Sequence, residues 1–219
     1  MFCEEILTKN IPVLTKDTKG DQALSIMEEV GSKHLPVIQD NKYLYLLSEK
    51  DVFDMDTPQD KIGNISYYAP HINKKTSIFE ILHIMNKDKL DFLPVINENG
   101  DFLGEVTLPS LIGKLDEIIN AGSQGALIGI EVNSKDYVLS HLIHLVESNN
   151  AHVQNIFSYS LKESNREILL LRMNLEDASP VIRSLERFDY MVRFHIQKQS
   201  LYNDILKKRL DELMYYIEM

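Results

Sequence analysis

The tetrapeptide Leu35-Pro36-Val37-Ile38 recurs as Leu93-Pro94-Val95-Ile96, 58 positions later. The same offset pairs Pro12 with Pro70, Thr18 with Thr76, Leu24 with Leu82 and Met27 with Met85. Identities held in one register mark an internal duplication, so the first half of the chain must fold as two like units. Past Asn41 the offset becomes 59: Leu44 then matches Leu103, and Ser48 matches Thr107. One residue inserted in a hairpin loop accounts for the change, because surface loops accept insertions at little cost.

Each copy reads as an extended start, a polar turn, an amphipathic helix, a Pro-Val strand, a second strand and a short helix. In the first copy, residues 11–14 are extended and Asp17 or Thr18 is expected to cap the helix. Ala23, Leu24, Met27 and Val30 form its apolar stripe, and Gly31 ends it. Residues 35–39 and 43–47 are strands, after which Ser48 caps a helix over 49–53. An amphipathic opening helix is expected over residues 2–9. The second copy repeats the plan, with a helix over 76–87, strands over 92–97 and 102–106, and a last helix from Thr107 that carries Pro109 in its first turn.

The pattern changes after the Gly- and Ser-containing stretch 121–125. Strands are expected over 126–132, 153–161, 167–173 and 191–196. Helices are expected over 137–148 and 176–188, the latter capped by Asn174. The order βαββαβ is a recurrent α+β unit. A final helix over 201–217 has Leu201, Ile205, Leu206, Leu210, Leu213 and Ile217 as its apolar stripe.

Charge and cysteine usage exclude some classes. A net charge of −10, with no arginine before Arg166, argues against nucleic acid, whose phosphates need cationic partners. Cys3 is the single cysteine, so no intrachain disulfide or thiolate metal cluster can form, and a reducing, cytoplasmic setting is expected. No apolar run reaches the ~18 residues of a membrane span.

The duplicated half resembles the tandem CBS pair, or Bateman module. The match rests on the two Leu-Pro-Val-Ile strands and on the exits Ser48-Glu49-Lys50-Asp51 and Gly104-Glu105-Val106-Thr107. Residues 125–197 resemble an ACT-like domain in topology and length, and the whole arrangement is similar to the AcuB-type acetoin-utilisation proteins. The resemblance implies an α+β chain of tandem βαββα repeats followed by a ferredoxin-like βαββαβ domain and a C-terminal helix. The expected bounds are 1–63, 64–120, 125–197 and 198–219.

What CBS pairs do then sets the functional expectation: a non-enzymatic regulator that binds an adenosine-containing ligand, of the AMP, ADP, ATP or S-adenosylmethionine type, between the repeats. The resemblance further implies a homodimer, with output through an unidentified protein partner. No cofactor and no metal are expected. At a helix start, Ser48 or Thr107 can meet a phosphate or sugar oxygen, and Asp51 can accept from both ribose hydroxyls. Val13 and Leu35 on one side, and Ile72 and Leu93 on the other, are the expected apolar walls and backbone partners for the base. His34 is a cationic candidate for phosphate. Ser110 stands where the second exit should carry aspartate, so one competent site is expected. Tyr45 replaces the motif's glycine and is expected to narrow the first cleft. Tyr137 sits where ACT domains that bind amino acids carry glycine, which favours a dimerising role for that domain.

Overall fold

The computed structural model describes residues 1–66, 68–133, 135–161 and 164–196. The chain divides into two compact units, the first ending at Ile118 and the second starting at Ile119.

The first unit holds the duplication. Its first copy contains α1 (Gly20–Val30), the antiparallel hairpin β1 (His34–Gln39) and β2 (Lys42–Ser48), and α2 (Glu49–Phe53). Its second copy contains β3 (Ile72–Asn73), α3 (Ile78–Asp88), β4 (Phe92–Ile96), β5 (Phe102–Thr107) and α4 (Leu108–Ile119). β3 runs parallel to β4, which pairs antiparallel with β5. In the first copy, Leu14 makes a parallel bridge to Val37, the counterpart of β3 on β4. Both hairpins break register at the same place, between Val37 and Ile38 and between Val95 and Ile96. The duplication therefore reaches down to a backbone irregularity.

The helices bury the stripes that the periodicity marks: Ala23 and Met27 in α1, and Ile78, Ile81 and Met85 in α3. Gly31 closes α1 in the left-handed conformation at φ 65°. Its counterpart Lys89 closes α3 in the same way at φ 56°, where a side chain costs about 1–2 kcal/mol.

Two helix starts differ from expectation. α1 begins after Lys19 with no side-chain cap, because the Thr18 hydroxyl accepts from the Thr15 amide instead. A Cβ on Gly20 would lie 2.9 Å from atoms of Val52, Met55 and Pro58, so packing fixes where this helix starts. α3 begins after Ser77, whose side chain accepts from the Phe79 amide.

The opening helix expected over residues 2–9 is a single 3₁₀ turn, Cys3–Glu5, followed by an extended strap. Cys3 and Ile6 enter the core of the second copy. Thr8 exchanges both backbone hydrogen bonds with Glu105, at 2.8 and 2.9 Å. The strap lies so close to β5 that a Cβ on Gly104 would fall 2.3 Å from the Thr8 carbonyl oxygen, so only glycine fits there. The second copy returns the exchange, its Tyr68 carbonyl accepting from the Leu46 amide of β2 at 2.8 Å. Each copy thus lends its leading segment to the other.

The second unit contains β6 (Ala126–Asn133), α5 (Leu139–Glu147), β7 (Val153–Ser160), β8 (Arg166–Met173), α6 (Ser179–Arg187) and β9 (Met191–Ile196). The sheet order is β7-β8-β6-β9 with every neighbouring pair antiparallel, the ferredoxin-like arrangement that βαββαβ implies. Ile128, Ile130, Leu169 and Leu171 face Leu142, Val146, Val181 and Leu185 of the helices in one core. α6 starts after Ala178 and not after Asn174, whose side-chain oxygen instead accepts from the His152 amide at 2.7 Å. The helix expected over residues 201–217 lies outside the described residues. No helix among the described residues is long and apolar enough to cross a membrane.

Candidate ligand site at the first strand–helix exit

The β1–β2 hairpin sets His34 directly opposite Ser48, its register partner. Ser48 ends β2 and caps α2, and Asp51 stands one turn into that helix. The Asp51 amide donates to the Ser48 hydroxyl oxygen at 3.1 Å. In return, the Ser48 amide and hydroxyl both donate to Asp51 Oδ2, at 2.8 and 2.7 Å. The aspartate's second oxygen, Oδ1, takes none of these bonds. Three of the residues marked by the sequence, His34, Ser48 and Asp51, therefore meet in one place.

The expected apolar walls divide differently. Leu35, Ile72 and Leu93 are buried in the two repeat cores, so their backbones are what they can offer a ligand. Val13 is 49% exposed, beside the buried Leu14. Tyr45 does not narrow the cleft as expected. Its ring is buried in the first core and its hydroxyl donates to the Gly63 carbonyl at 2.6 Å.

At the second exit, Phe92 takes the place of His34 opposite Thr107. The Ser110 amide donates to Thr107 Oγ1 at 3.3 Å, and the Ser110 hydroxyl donates to the Thr107 carbonyl at 2.9 Å. This exit keeps the capping geometry and lacks both the carboxylate and the imidazole. Beside it a cavity of about 630 Å³ has Leu82, His83, Lys89, Asp91 and Leu108 among its lining residues.

The CBS domain family matches residues 3–56 and again residues 63–117. The chain carries a CBS domain pair. An uncharacterized protein of Methanocaldococcus jannaschii is 30% identical over 107 residues, which are 48% of this chain and 25% of that protein. The chain spans between 22% and 40% of the length of three curated relatives it matches. Among solved structures, a CBS domain pair/ACT domain protein of Thermotoga maritima is 18% identical, covering 53% of this chain and 98% of its own, with a TM-score of 0.49. CBSX2, solved in complex with AMP, is 21% identical, covering 54% of this chain and 98% of its own, with a TM-score of 0.47.

Two acidic features of the CBS pair escape a reading of its motifs. The first surrounds His34, whose Nδ1 is buried without a hydrogen-bond partner among the described residues. Burial pushes the imidazole below its ordinary pKa. The carboxylates of Asp91, Asp51 and Glu49 oppose that shift, and Lys33 adds to it. His34 is accordingly neutral in the folded protein near pH 7. Below about pH 6.5 the unfolded chain takes up a proton that the folded chain resists, so this contribution to stability is lost as pH falls from there towards the depressed folded value. His34→Phe, which copies the second exit, is expected to flatten the fall in melting temperature between pH 6.5 and 5. An unchanged slope would show that His34 is not the group responsible.

The second feature is Glu105, fully buried in β5. Its Oε1 accepts from the Thr8 hydroxyl at 3.0 Å, the Asn10 amide at 2.7 Å and the Ile11 amide at 3.2 Å. Oε2 is buried without a partner among the described residues. Glu105 thereby fastens the strap that leads to Val13. The available signal was a mismatch between the copies, since the register of the duplication puts Leu46 at this position in the first.

Proposed function

We propose that the CBS pair is a regulatory sensor of an adenosine-containing ligand, bound at the first exit, and that the ACT-like unit is its dimerisation module. The observation that carries this reading is the convergence of Ser48, Asp51 and His34. Asp51 Oδ1 is left to accept from ribose hydroxyls, and the Ser48 hydroxyl and the His34 imidazole stand beside it. The adenosine class follows from membership of the family, and these side chains suit its ribose. The protein acts as a regulator and not as a catalyst, passing the bound state to a protein partner.

The charges around His34 favour particular members of the class. Three carboxylates and one lysine surround it, and residues 1–120 contain no arginine to grip a polyphosphate in bidentate fashion. A ligand with few negative charges, such as AMP or S-adenosylmethionine, is preferred to ATP. A thermal-shift series at millimolar ligand tests this. AMP or S-adenosylmethionine is expected to raise the melting temperature more than ATP, because a ligand that binds only the folded state adds about 2.7 kcal/mol at a hundredfold excess over Kd. No shift with any of them would favour the second reading, a structural interaction module with empty clefts. The closed Ser48–Asp51 capping box is the observation on that reading's side.

A further inference from the structure

The helices of the second unit cover one face of its four-stranded sheet, and the register of the strands identifies what lies on the other. Phe157, Leu170, Gly129 and Phe194 form one row across β7, β8, β6 and β9. Tyr159, Ile168, Glu131 and Met191 form the next. Glu131 is held there by Arg166 and Arg193, which pairs the carboxylate at one end of this face, and Arg172 stands at the other end in the row of Leu127 and Ile196. The Phe194 ring folds over Gly129, where a Cβ would lie 2.4 Å from it. The remaining large apolar side chains stay uncovered: Phe157 is 42% exposed, Tyr159 48%, Met191 51% and Ile196 62%.

We propose that this face is the docking surface for the chain's own C-terminal segment, residues 198–219. Four observations select that occupant. β9 is an edge strand, and its last residue, Ile196, lies on the uncovered face opposite Leu127, so the segment that follows is tethered at the border of this surface. The stripe from Leu201 to Ile217 begins after four connecting residues, which reach at most about 14 Å. A tether this short holds the segment at a high effective concentration over the face. Length also fits. Seventeen residues at helical rise span about 26 Å, whereas the outer strands of a four-stranded sheet lie about 14 Å apart. The stripe itself carries no charge, with Asp204, Lys207, Lys208, Arg209, Asp211 and Glu212 falling between its members.

Hydroxyl-radical footprinting of the full chain tests the assignment, because Phe157, Tyr159 and Met191 are themselves oxidisable. Their oxidation is expected to be slow in the full-length protein at all concentrations over a hundredfold range. It should rise severalfold both in a chain ending at Ile196 and in the full-length Leu206→Glu/Leu210→Glu variant. Equal oxidation in the intact and shortened chains would overturn the proposal. Protection that disappears on dilution would also overturn it, and would assign the face to a second copy of the chain.

Discussion

Asp51→Ala is expected to weaken binding of the adenosine ligand by about 10- to 100-fold, the effect of losing charge-assisted hydrogen bonds worth roughly 1.5–3 kcal/mol. The same change removes the return half of the capping box, so a loss of fold stability of about 0.5–2 kcal/mol should accompany it. Ser110→Ala at the second exit is expected to change affinity less than about twofold, since that serine's hydroxyl is already turned back on the Thr107 carbonyl. Calorimetry on both variants separates the exits. A larger loss from Ser110→Ala would reverse the assignment and place the ligand at the second one.

Glu105→Leu should be the most damaging single change in the first unit that leaves the backbone geometry undisturbed. It installs the residue found at the matching position of the first copy, Leu46, and so tests whether the copies are interchangeable there. The leucine leaves the Asn10 and Ile11 amides without their acceptor, while the Thr8 hydroxyl keeps the backbone carbonyl of residue 105, 3.1 Å away. At about 1–3 kcal/mol for each buried group left unpaired, and with some relief from no longer burying Oε2, a net loss of roughly 2–5 kcal/mol is expected. Glu105→Gln keeps one oxygen for the strap and should lose much less. Urea unfolding of the two variants reads the difference. Stabilisation by leucine would mean that the buried carboxylate costs more than its three donors return.

These two residues also show where sequence reading succeeds and where it stops. The Ser48-x-x-Asp51 spacing is local, so four consecutive residues determine the capping box and the sequence displays it in full. The strands around the two Leu-Pro-Val-Ile segments were equally legible, because each copy supports the reading of the other. The ferredoxin-like unit was legible from periodicity alone, its strands and helices following the expected order.

Glu105 is the opposite case. Its meaning depends on a strap that arrives from 94 to 97 positions away, and no spacing rule reaches that far. Helix starts were lost for a related reason. Asp17, Thr18 and Asn174 are good capping residues by type, yet the hydroxyl of Thr18 is used within its own turn and the side chain of Asn174 is used by His152. Tyr45 fills a glycine position in a motif, which points to the cleft, whereas a hydrogen bond to Gly63 draws its side chain into the core. For Asn174 and Tyr45 a tertiary contact outcompeted a local preference, and for Thr18 one local turn outcompeted another.

The stoichiometry of AMP or S-adenosylmethionine binding to the full-length protein, by isothermal titration calorimetry, tests the first-exit site most directly. The expected result is one ligand per chain, with affinity lost in Asp51→Ala and kept in Ser110→Ala. Two ligands per chain, or binding unaffected by Asp51→Ala, would contradict it.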